Sequence, residues 1–421
     1  MYALIDCNNF YVSCERAFQP QLQDKAGVVL SNNDGCAIAR SQEAKDMGIK
    51  MGHPYFQFRD THRDVWVRSS NYALYQDMMY RVTSIIRKYF PDQEIYSIDE
   101  CFCDLAGYAL LDPTTLATRL RGELLQCTGI PVCIGIARTK TLAKIANRMA
   151  KKKSKDTGVY TLSTPEQEAE ALAATEIGDV WGIGSRHATR LVDMGITDAY
   201  KFTALPADWV LKQMTIVGLR MWRELRGESC IPMEYHRKAK KGIGTSRSFG
   251  RPETNLKVML EALATYVSIA AAKLRSQHCV CNRIYVYART SDHIKEQDRF
   301  ACGLEVKLLT PTANDGELIR IAQSILRTTF KQGYRYQKVG VMLSDIRPDT
   351  QVQQSLFDTK PDNRVRIAKA IQAMDKVNRR EGRDTVRMAA TGNEGQWTMK
   401  QEHRSKRFTT KLSEIIVVVA K

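Results

Sequence analysis

The stretch Tyr96-Ser97-Ile98-Asp99-Glu100 places two adjacent carboxylates between β-prone runs, the second of which is Cys101-Phe102-Cys103-Asp104-Leu105. Neighbouring side chains on a flat strand point to opposite faces, so Asp99 and Glu100 can serve one site only if the chain bends there. The sequence therefore predicts a hairpin tip or a bulge at the pair. Side-by-side carboxylates repel, and they are tolerated on a solvated turn or where a divalent cation compensates them. A third carboxylate, Asp6, closes the apolar run Tyr2-Ala3-Leu4-Ile5. An acid at a strand end can reach a metal from a rigid support.

Thr139 to Lys153 reads as the helix that accompanies these acids. At about 100° per residue, Lys140, Lys144, Asn147 and Lys151 fall on one side, while Leu142, Ile145, Ala146 and Met149 share the other. A lysine row is a solvated face in most helices; beside carboxylate-held cations it suits a nucleotide triphosphate. Divalent ions between carboxylates, with lysines on the phosphates, are what in-line phosphoryl transfer requires.

The elements that must position these groups follow from periodicity. Strands are expected at Tyr2–Ile5, Val28–Leu30 and Pro131–Ala137, and a helix is expected through Val12-Ser13-Cys14-Glu15. Asn32-Asn33-Asp34-Gly35 is a turn signal. Ala37 to Met47 reads as one helix carrying Arg40 and Lys45, Tyr72 to Phe90 as a long helix stopped by Pro91, and Leu110 to Cys127 as another. From about residue 165 the pattern is short and all helical. Val180-Trp181-Gly182-Ile183-Gly184, followed by a helix from Ser185, presents backbone N–H groups at a helix N-terminus, which suits a phosphate; it also reads as an ordinary helix–helix turn.

Residues 236–242 form a basic linker, and beyond it the period switches. Strand at Thr245–Phe249, helix from Leu256 to Leu274, strands at Arg283–Tyr287 and Leu304–Leu308, helix at Ile319–Phe330 and strand at Val339–Leu343 give the order βαββαβ, a split βαβ sandwich. It carries Arg247, Arg251, Arg283, Arg289, Arg299, Lys307 and Lys338. After Pro348 the chain turns polar. Gln353-Gln354-Ser355-Leu356-Phe357 is a short apolar plug in it, followed by a possible helix at Val365–Asn378 and a final apolar run at Ile415–Val419.

Charge and composition narrow the function class. The 421-residue chain carries a net charge of +17. Residues 1–235 hold 28 basic and 28 acidic side chains, whereas residues 236–421 hold 35 and 18, so the back part supplies all of the excess. A neutral front joined to a basic back points to chemistry in front and polyanion binding behind. There is no run of about 18 apolar residues and no secretory leader, which predicts a cytoplasmic protein without a membrane partner. The 11 cysteines have no zinc-like spacing and are expected to be reduced and mostly buried.

The strings Asp6-Cys7-Asn8-Asn9-Phe10-Tyr11, Tyr96-Ser97-Ile98-Asp99-Glu100 and Gly135-Ile136-Ala137-Arg138-Thr139-Lys140-Thr141-Leu142-Ala143-Lys144 resemble the Y-family translesion DNA polymerases, closest to the bacterial UmuC group. The resemblance runs the whole chain. It implies an α/β multidomain fold: palm with a mixed sheet at 1–20 and 75–165, small fingers at 21–74, helical thumb with a helix-hairpin-helix at 166–235, βαββαβ little finger at 243–347, and a basic C-terminal tail at 348–421. It implies error-prone translesion synthesis in the SOS response to DNA damage, with two magnesium ions as cofactors. Asp6 and Asp99 would be shared by both ions, Glu100 would bind the ion at the primer 3′-hydroxyl, and the Cys7 carbonyl would complete the nucleotide-side ion. Tyr11 matches the steric gate against a 2′-hydroxyl, with Phe10 beside it. Lys151 matches the triphosphate lysine. Lys45 stands where many relatives carry arginine, and Arg40 belongs to the same expected pocket. Gly182, Gly184, Arg247, Arg283, Arg289 and Lys307 are expected on DNA. Gln353, Leu356 and Phe357 resemble a sliding-clamp peptide, with Gln354 where Leu is commoner. The implied partners are primed damaged DNA, dNTPs, the clamp, a UmuD′-like dimer and RecA.

Two rival readings share some of these features. A nucleotidyl cyclase also sets paired carboxylates on a palm-like sheet, but the glycine hairpin, basic module and clamp-like peptide have no use there. A DNA-binding scaffold with a dead palm would have no reason to carry all three carboxylates.

Overall fold

The computed structural model describes residues 1–108, 111–154, 156–236, 238–352, 361–382, 384–392 and 399–417, with side chains from 365 onward in the helix that begins at 361. Two compact units result: Met1–Arg237 together with Glu402–Lys421, and Lys238–Gln401.

In the first unit, β1 (Tyr2–Cys7) is the middle strand of a five-stranded sheet, and its apolar run is buried on both faces as such a strand requires. α1 (Phe10–Phe18) follows, entered through Asn9 at φ 47°. Next come β2 (Gly27–Leu30), β3 (Ala37–Arg40), α2 (Gln42–Asp46), α3 (Tyr55–Phe58) and β4 (Trp66–Ser69), whose strands form a separate sheet ordered β3-β2-β4. α4 (Tyr72–Tyr89) leads back to the hairpin of β5 (Gln93–Ile95) and β6 (Glu100–Asp104). α5 (Pro113–Thr128), β7 (Val132–Ala137), α6 (Lys140–Lys153) and β8 (Val159–Thr161) complete the main sheet, ordered β5-β6-β1-β7-β8.

Both faces of that sheet are covered. Ala3, Ile5 and Cys7 pack with Leu74, Val82 and Leu120 from the α4 and α5 side. Leu4, Phe102 and Ala137 pack against Leu142, Ile145 and Met149 of α6. Strand alternation therefore puts Asp6 on the α6 face, with Leu4. Gly135 makes the close approach of α6 possible: a Cβ there would sit 2.0 Å from the Asn147 backbone nitrogen and 2.4 Å from the Ala143 carbonyl oxygen.

α7 (Pro165–Ala173), α8 (Ser185–Asp193), α9 (Ala199–Thr203) and α10 (Ala207–Leu225) build the helical part, and α10 is broken at Thr215, φ 61°. This part is tied to α6 through the fully buried Glu224. The Thr141 N–H donates to the Glu224 carboxylate at 3.1 Å, and the Thr139 hydroxyl donates to the Glu224 carbonyl at 2.8 Å. A carboxylate at a helix N-terminus meets unpaired N–H groups and the positive end of the helix dipole.

The second unit contains β9 (Gly242–Glu253), α11 (Leu256–Arg275), β10 (Cys279–Thr290), β11 (Ala301–Thr312), α12 (Asp315–Thr329) and β12 (Tyr336–Pro348). The sheet order is β11-β10-β12-β9 and every neighbouring pair is antiparallel. Thus β9 and β10 flank β12, and β11 and β12 flank β10: two interleaved split βαβ units. α13 (Pro361–Glu381) is held to this unit by Arg275, which binds Asp375 at 2.6 Å and Asp315 at 2.7 Å.

The helix expected over Ala37–Met47 is corrected by the structure. Its first four residues are β3, paired with β2, and Arg40 ends a strand. Ser41 then starts a new helix by accepting a hydrogen bond from the Ala44 N–H at 3.2 Å, so an N-cap splits what periodicity alone reads as continuous. Gln353, Leu356 and Phe357 lie outside the described residues.

Because Gly135 lies against the α6 backbone, which cannot yield as a side chain can, Gly135→Ala is expected to destabilise the fold by about 3 kcal/mol or more. Urea unfolding followed by circular dichroism measures it; a shift under about 0.5 kcal/mol would contradict this packing.

Candidate active site

The register of the main sheet builds the acidic corner. Asp6 in β1 is the direct antiparallel partner of Glu100 in β6. Side chains so paired share a face, with Cβ atoms about 5 Å apart. Asp99 is the last residue of the hairpin turn, and its carbonyl accepts a hydrogen bond from the Cys7 N–H at 2.9 Å. The Ser97 hydroxyl donates to the Asp99 carboxylate at 2.5 Å and accepts from the Asp99 and Glu100 N–H groups at 3.2 and 3.0 Å. This Ser turn supplies the bend that the sequence requires.

Two lysines of α6 face these acids. Lys151 Nζ lies 2.7 Å from Asp6 Oδ1. Lys144 Nζ donates to both Glu100 oxygens, at 2.9 and 3.1 Å, and stands over the rings of Tyr96, Trp181 and Phe102 at 4.6, 5.5 and 5.7 Å. Tyr96 is itself fixed by the Trp181 indole N–H, 2.9 Å from its hydroxyl. An aromatic cage of this kind holds the ammonium, and through it Glu100, in one orientation. Burial pushes the Asp6 carboxyl up to about 6; Lys151 opposes the rise, and the neighbouring Glu100 and Asp99 charges add to it.

The lysine row needs correction. Lys140 is 1% exposed and pairs with the buried Glu94 carboxylate at 2.5 Å, while the buried Asn147 donates to the Leu4 and Cys133 carbonyls at 3.3 and 2.7 Å. Both are structural, because this side of α6 is covered by sheet and helices alike. Lys144 and Lys151 are the members that reach the acids.

A basic group stands opposite. Lys45 Nζ donates to Asn9 Oδ1 at 2.7 Å. Burial lowers the Lys45 ammonium pKa, and the nearby charges of Arg40 and Lys151 lower it further. Arg40 also donates to the Ile49 carbonyl at 2.8 Å. The charges of Arg40, Lys45 and Lys151 therefore act on one another, and Lys151 is paired with Asp6.

Tyr11 lies half-buried at the start of α1. Its ring stacks on Tyr75 at 4.4 Å and 15°, and Tyr72 meets it edge-on at 6.0 Å. Burial pushes the Tyr11 phenol up to about 12, with Tyr72 and Asp99 adding to the rise. Phe10 belongs to the core, 3% exposed, with its ring 5.8 Å from Tyr11. The Cys7 side chain is also buried, and its N–H is the one bonded to the Asp99 carbonyl.

Asp6 and Glu100 hold ammonium groups where a cation-binding site would hold metal. Among the described residues, no three His, Cys, Asp or Glu side chains are already gathered as a metal cluster. The donor set fits all the same: carboxylates and a backbone carbonyl are hard oxygen ligands, and the lysines stand in for the positive charge.

Other expected contacts are spread over both units. Gly182 takes φ +87° and Gly184 is the N-cap of α8, whose N-terminus has no side-chain cap. In the second unit, Arg283, Arg289 and Lys307 lie on the sheet face opposite α11 and α12; Arg283 is paired with Glu305 and Arg289 with Asp292, each at 2.7 Å. Arg247 is on the helix side, its guanidinium 5.8 Å from the Tyr266 ring.

Sequence reasoning did not single out Tyr75, Asn9 or the cage around Lys144. Tyr72 and Tyr75 are spaced to share a helix face, and Trp181 sits in the glycine hairpin; both are sequence signals, but their targets lie far away in the chain.

Residues 5–148 match the impB/mucB/samB family, residues 240–356 its C-terminal domain, and residues 368–418 a domain of unknown function (DUF4113). The chain is 41% identical over 425 residues to Protein UmuC of Salmonella typhimurium, covering 99% of this chain and 100% of that protein. It belongs to the impB/mucB/samB family. Protein MucB of Escherichia coli, another member, is 35% identical over 424 residues, all of both chains. The fold of this family member is that of the Y-family polymerases. A Y-family DNA polymerase chimera built on Dbh matches 82% of this chain and 99% of its own at a TM-score of 0.66 and 21% identity, and an insertion ternary complex of Dbh DNA polymerase matches at 0.55.

Proposed function

We propose that this corner adds deoxynucleotides to a primer by two-metal phosphoryl transfer. The chain is an error-prone translesion DNA-directed DNA polymerase of the UmuC group, acting on primed DNA and dNTPs. The observation that carries the site assignment is the Asp6–Glu100 register, with Asp99 at the adjoining turn and the interacting charges of Arg40, Lys45 and Lys151 beside it.

Asp6, Asp99 and the Cys7 carbonyl would hold one magnesium ion, and Asp6, Asp99 and Glu100 the other. When bound, such ions make the primer 3′-hydroxyl a stronger nucleophile and offset charge on the leaving pyrophosphate. The chain's own groups do the rest. Lys151, Lys45 and Arg40 neutralise and orient the triphosphate, with Lys151 exchanging Asp6 for phosphate. Lys45 acts as a point charge without a bidentate fork. Lys144 fixes Glu100 within its aromatic cage. Tyr11, backed by Tyr75, presents a flat ring to the sugar and leaves no room for a 2′-hydroxyl.

In this reading 1–20 and 75–165 are the palm, 21–74 the fingers, 166–235 the thumb and 243–347 the little finger. The backbone around Gly182 and Gly184, at the α8 N-terminus, would hold a DNA phosphate. Arg283, Arg289 and Lys307 on the open sheet face would track the duplex backbone. The fingers are small, so few contacts check base-pair shape, which admits damaged templates and lowers fidelity together. Gln353–Phe357 would bind a sliding clamp, and the tail a UmuD′-like dimer and RecA. Among the described residues no helix is long and apolar enough to cross a membrane, which accords with the cytoplasmic location we propose.

Primer extension over an abasic site, with clamp and accessory partners supplied, tests the assignment. Asp99→Asn is expected to lower incorporation by at least about a hundredfold while leaving primed-DNA binding unchanged. Comparable extension by both proteins would refute it. Lys151→Ala is expected to raise the nucleotide KM about tenfold or more in single-nucleotide kinetics, and an unchanged KM would remove Lys151 from the triphosphate pocket.

A further inference from the structure

The described residues from Glu402 onward, within the match to the domain of unknown function, belong to the first unit and reach the Glu15 carboxylate that holds Tyr75. We propose that residues 402–408 are a positioning segment for sugar selection, acting through Ser405, Glu15 and Tyr75 on Tyr11. The proposal rests on the reading of Tyr11 as the gate.

The contact chain is short and centred on a buried carboxylate. Glu15 is 0% exposed. Its Oε1 accepts hydrogen bonds from the Tyr75 hydroxyl at 2.8 Å and the Ser405 hydroxyl at 2.9 Å, and its Oε2 accepts one from Gln19 at 3.0 Å. Arg68 reaches this group through Gln19, to whose Oε1 it donates at 2.7 Å. A carboxylate out of water is stabilised only by such donors, so each one constrains where the group sits. Tyr75 thus has its hydroxyl fixed by Glu15 and its ring stacked on Tyr11. Gln19 and Tyr75 come from the C-cap of α1 and from α4, whereas Ser405 comes from 390 positions beyond Glu15.

Ser405 is itself held in place. The Asn71 amide donates to the Ser405 hydroxyl at 3.0 Å and to the Lys406 carbonyl at 3.1 Å. Phe408, buried, stacks on Phe18 at 4.9 Å and 6°. At the other end His403 and Ser69 exchange two hydrogen bonds: the Ser69 N–H donates to the His403 carbonyl at 3.2 Å, and the His403 N–H to the Ser69 hydroxyl at 3.0 Å. The Glu402 N–H donates to Asp34 at 2.8 Å, and Tyr55 meets His403 edge-on at 5.7 Å. The segment therefore ties the β2–β3 turn and the end of β4 to α1 and α4, and Ser405 falls at the crossing. With that hydroxyl removed, Glu15 keeps Tyr75 and Gln19 but loses the donor from the far segment, so the carboxylate that seats the Tyr75 hydroxyl is held less firmly. The register of the Tyr75–Tyr11 stack against a sugar then loosens without loss of any group that touches the reacting atoms.

The test is single-nucleotide incorporation by the full chain with its partners, comparing kcat/KM for a deoxynucleotide and the matching ribonucleotide. Ser405→Ala is expected to raise the ribonucleotide-to-deoxynucleotide ratio about threefold or more, with deoxynucleotide kcat within about twofold of wild type. Ser405→Thr, which keeps the hydroxyl, should restore the wild-type ratio. Tyr11→Ala serves as the reference and should relax selection further than either. An unchanged ratio in Ser405→Ala, whether rates are kept or fall equally for both sugars, overturns the proposal if Tyr11→Ala relaxes selection. If Tyr11→Ala leaves selection unchanged, the gate assignment fails and the proposal fails with it.

Discussion

Asp6, Asp99 and Glu100 repel one another, and the architecture around them answers that repulsion. β1 and β6 bring Asp6 and Glu100 side by side on one face, and α6 lies across the same face with Lys144 and Lys151 above them. The helix can lie so close because Gly135 has no side chain. It is anchored at its N-terminus by Glu224 and by the buried Lys140–Glu94 pair, so the lysines have little freedom to drift. Burial raises the cost of unpaired charge, which is why divalent cations and a triphosphate are the partners proposed for this corner.

Much of this was legible in the sequence. The Asp6 and Asp99-Glu100 strings, the strand–helix order and the alternation in residues 243–347 all follow from local pattern, and local pattern is what the structure realises. The failures have a common cause. The Ala37–Met47 periodicity suited a helix, but β2 offered Ala37–Arg40 a strand partner and Ser41 offered a cap. Lys140 and Asn147 occupy the polar side of an amphipathic helix by arithmetic, yet their partners are Glu94 and the carbonyls of Leu4 and Cys133. Arg247 sits on the helix side of its sheet because strand parity puts it there, next to Tyr266. A one-dimensional pattern shows which side of an element is polar, not what covers it.

The sugar selection proposed for Tyr11 rests on groups that sequence pattern could not assemble. Tyr11, Tyr75 and Glu15 come from α1 and α4, and Ser405 joins them from 390 residues beyond Glu15. As proposed, the segment bonded to Ser69, Asn71 and Glu15 sets how firmly the tyrosine stack is seated. Openness towards the template and firmness towards the sugar can then be set by different parts of one chain.

In the proposed reaction the carboxylate corner holds divalent cations together with the incoming nucleotide. Electron paramagnetic resonance of Mn²⁺ tests it most directly, using the full chain with primed DNA and a non-hydrolysable dNTP. Two bound ions per wild-type chain are expected in that complex, and fewer in Asp99→Asn at equal nucleotide occupancy. Equal manganese binding by the two proteins, or none by either, would contradict it.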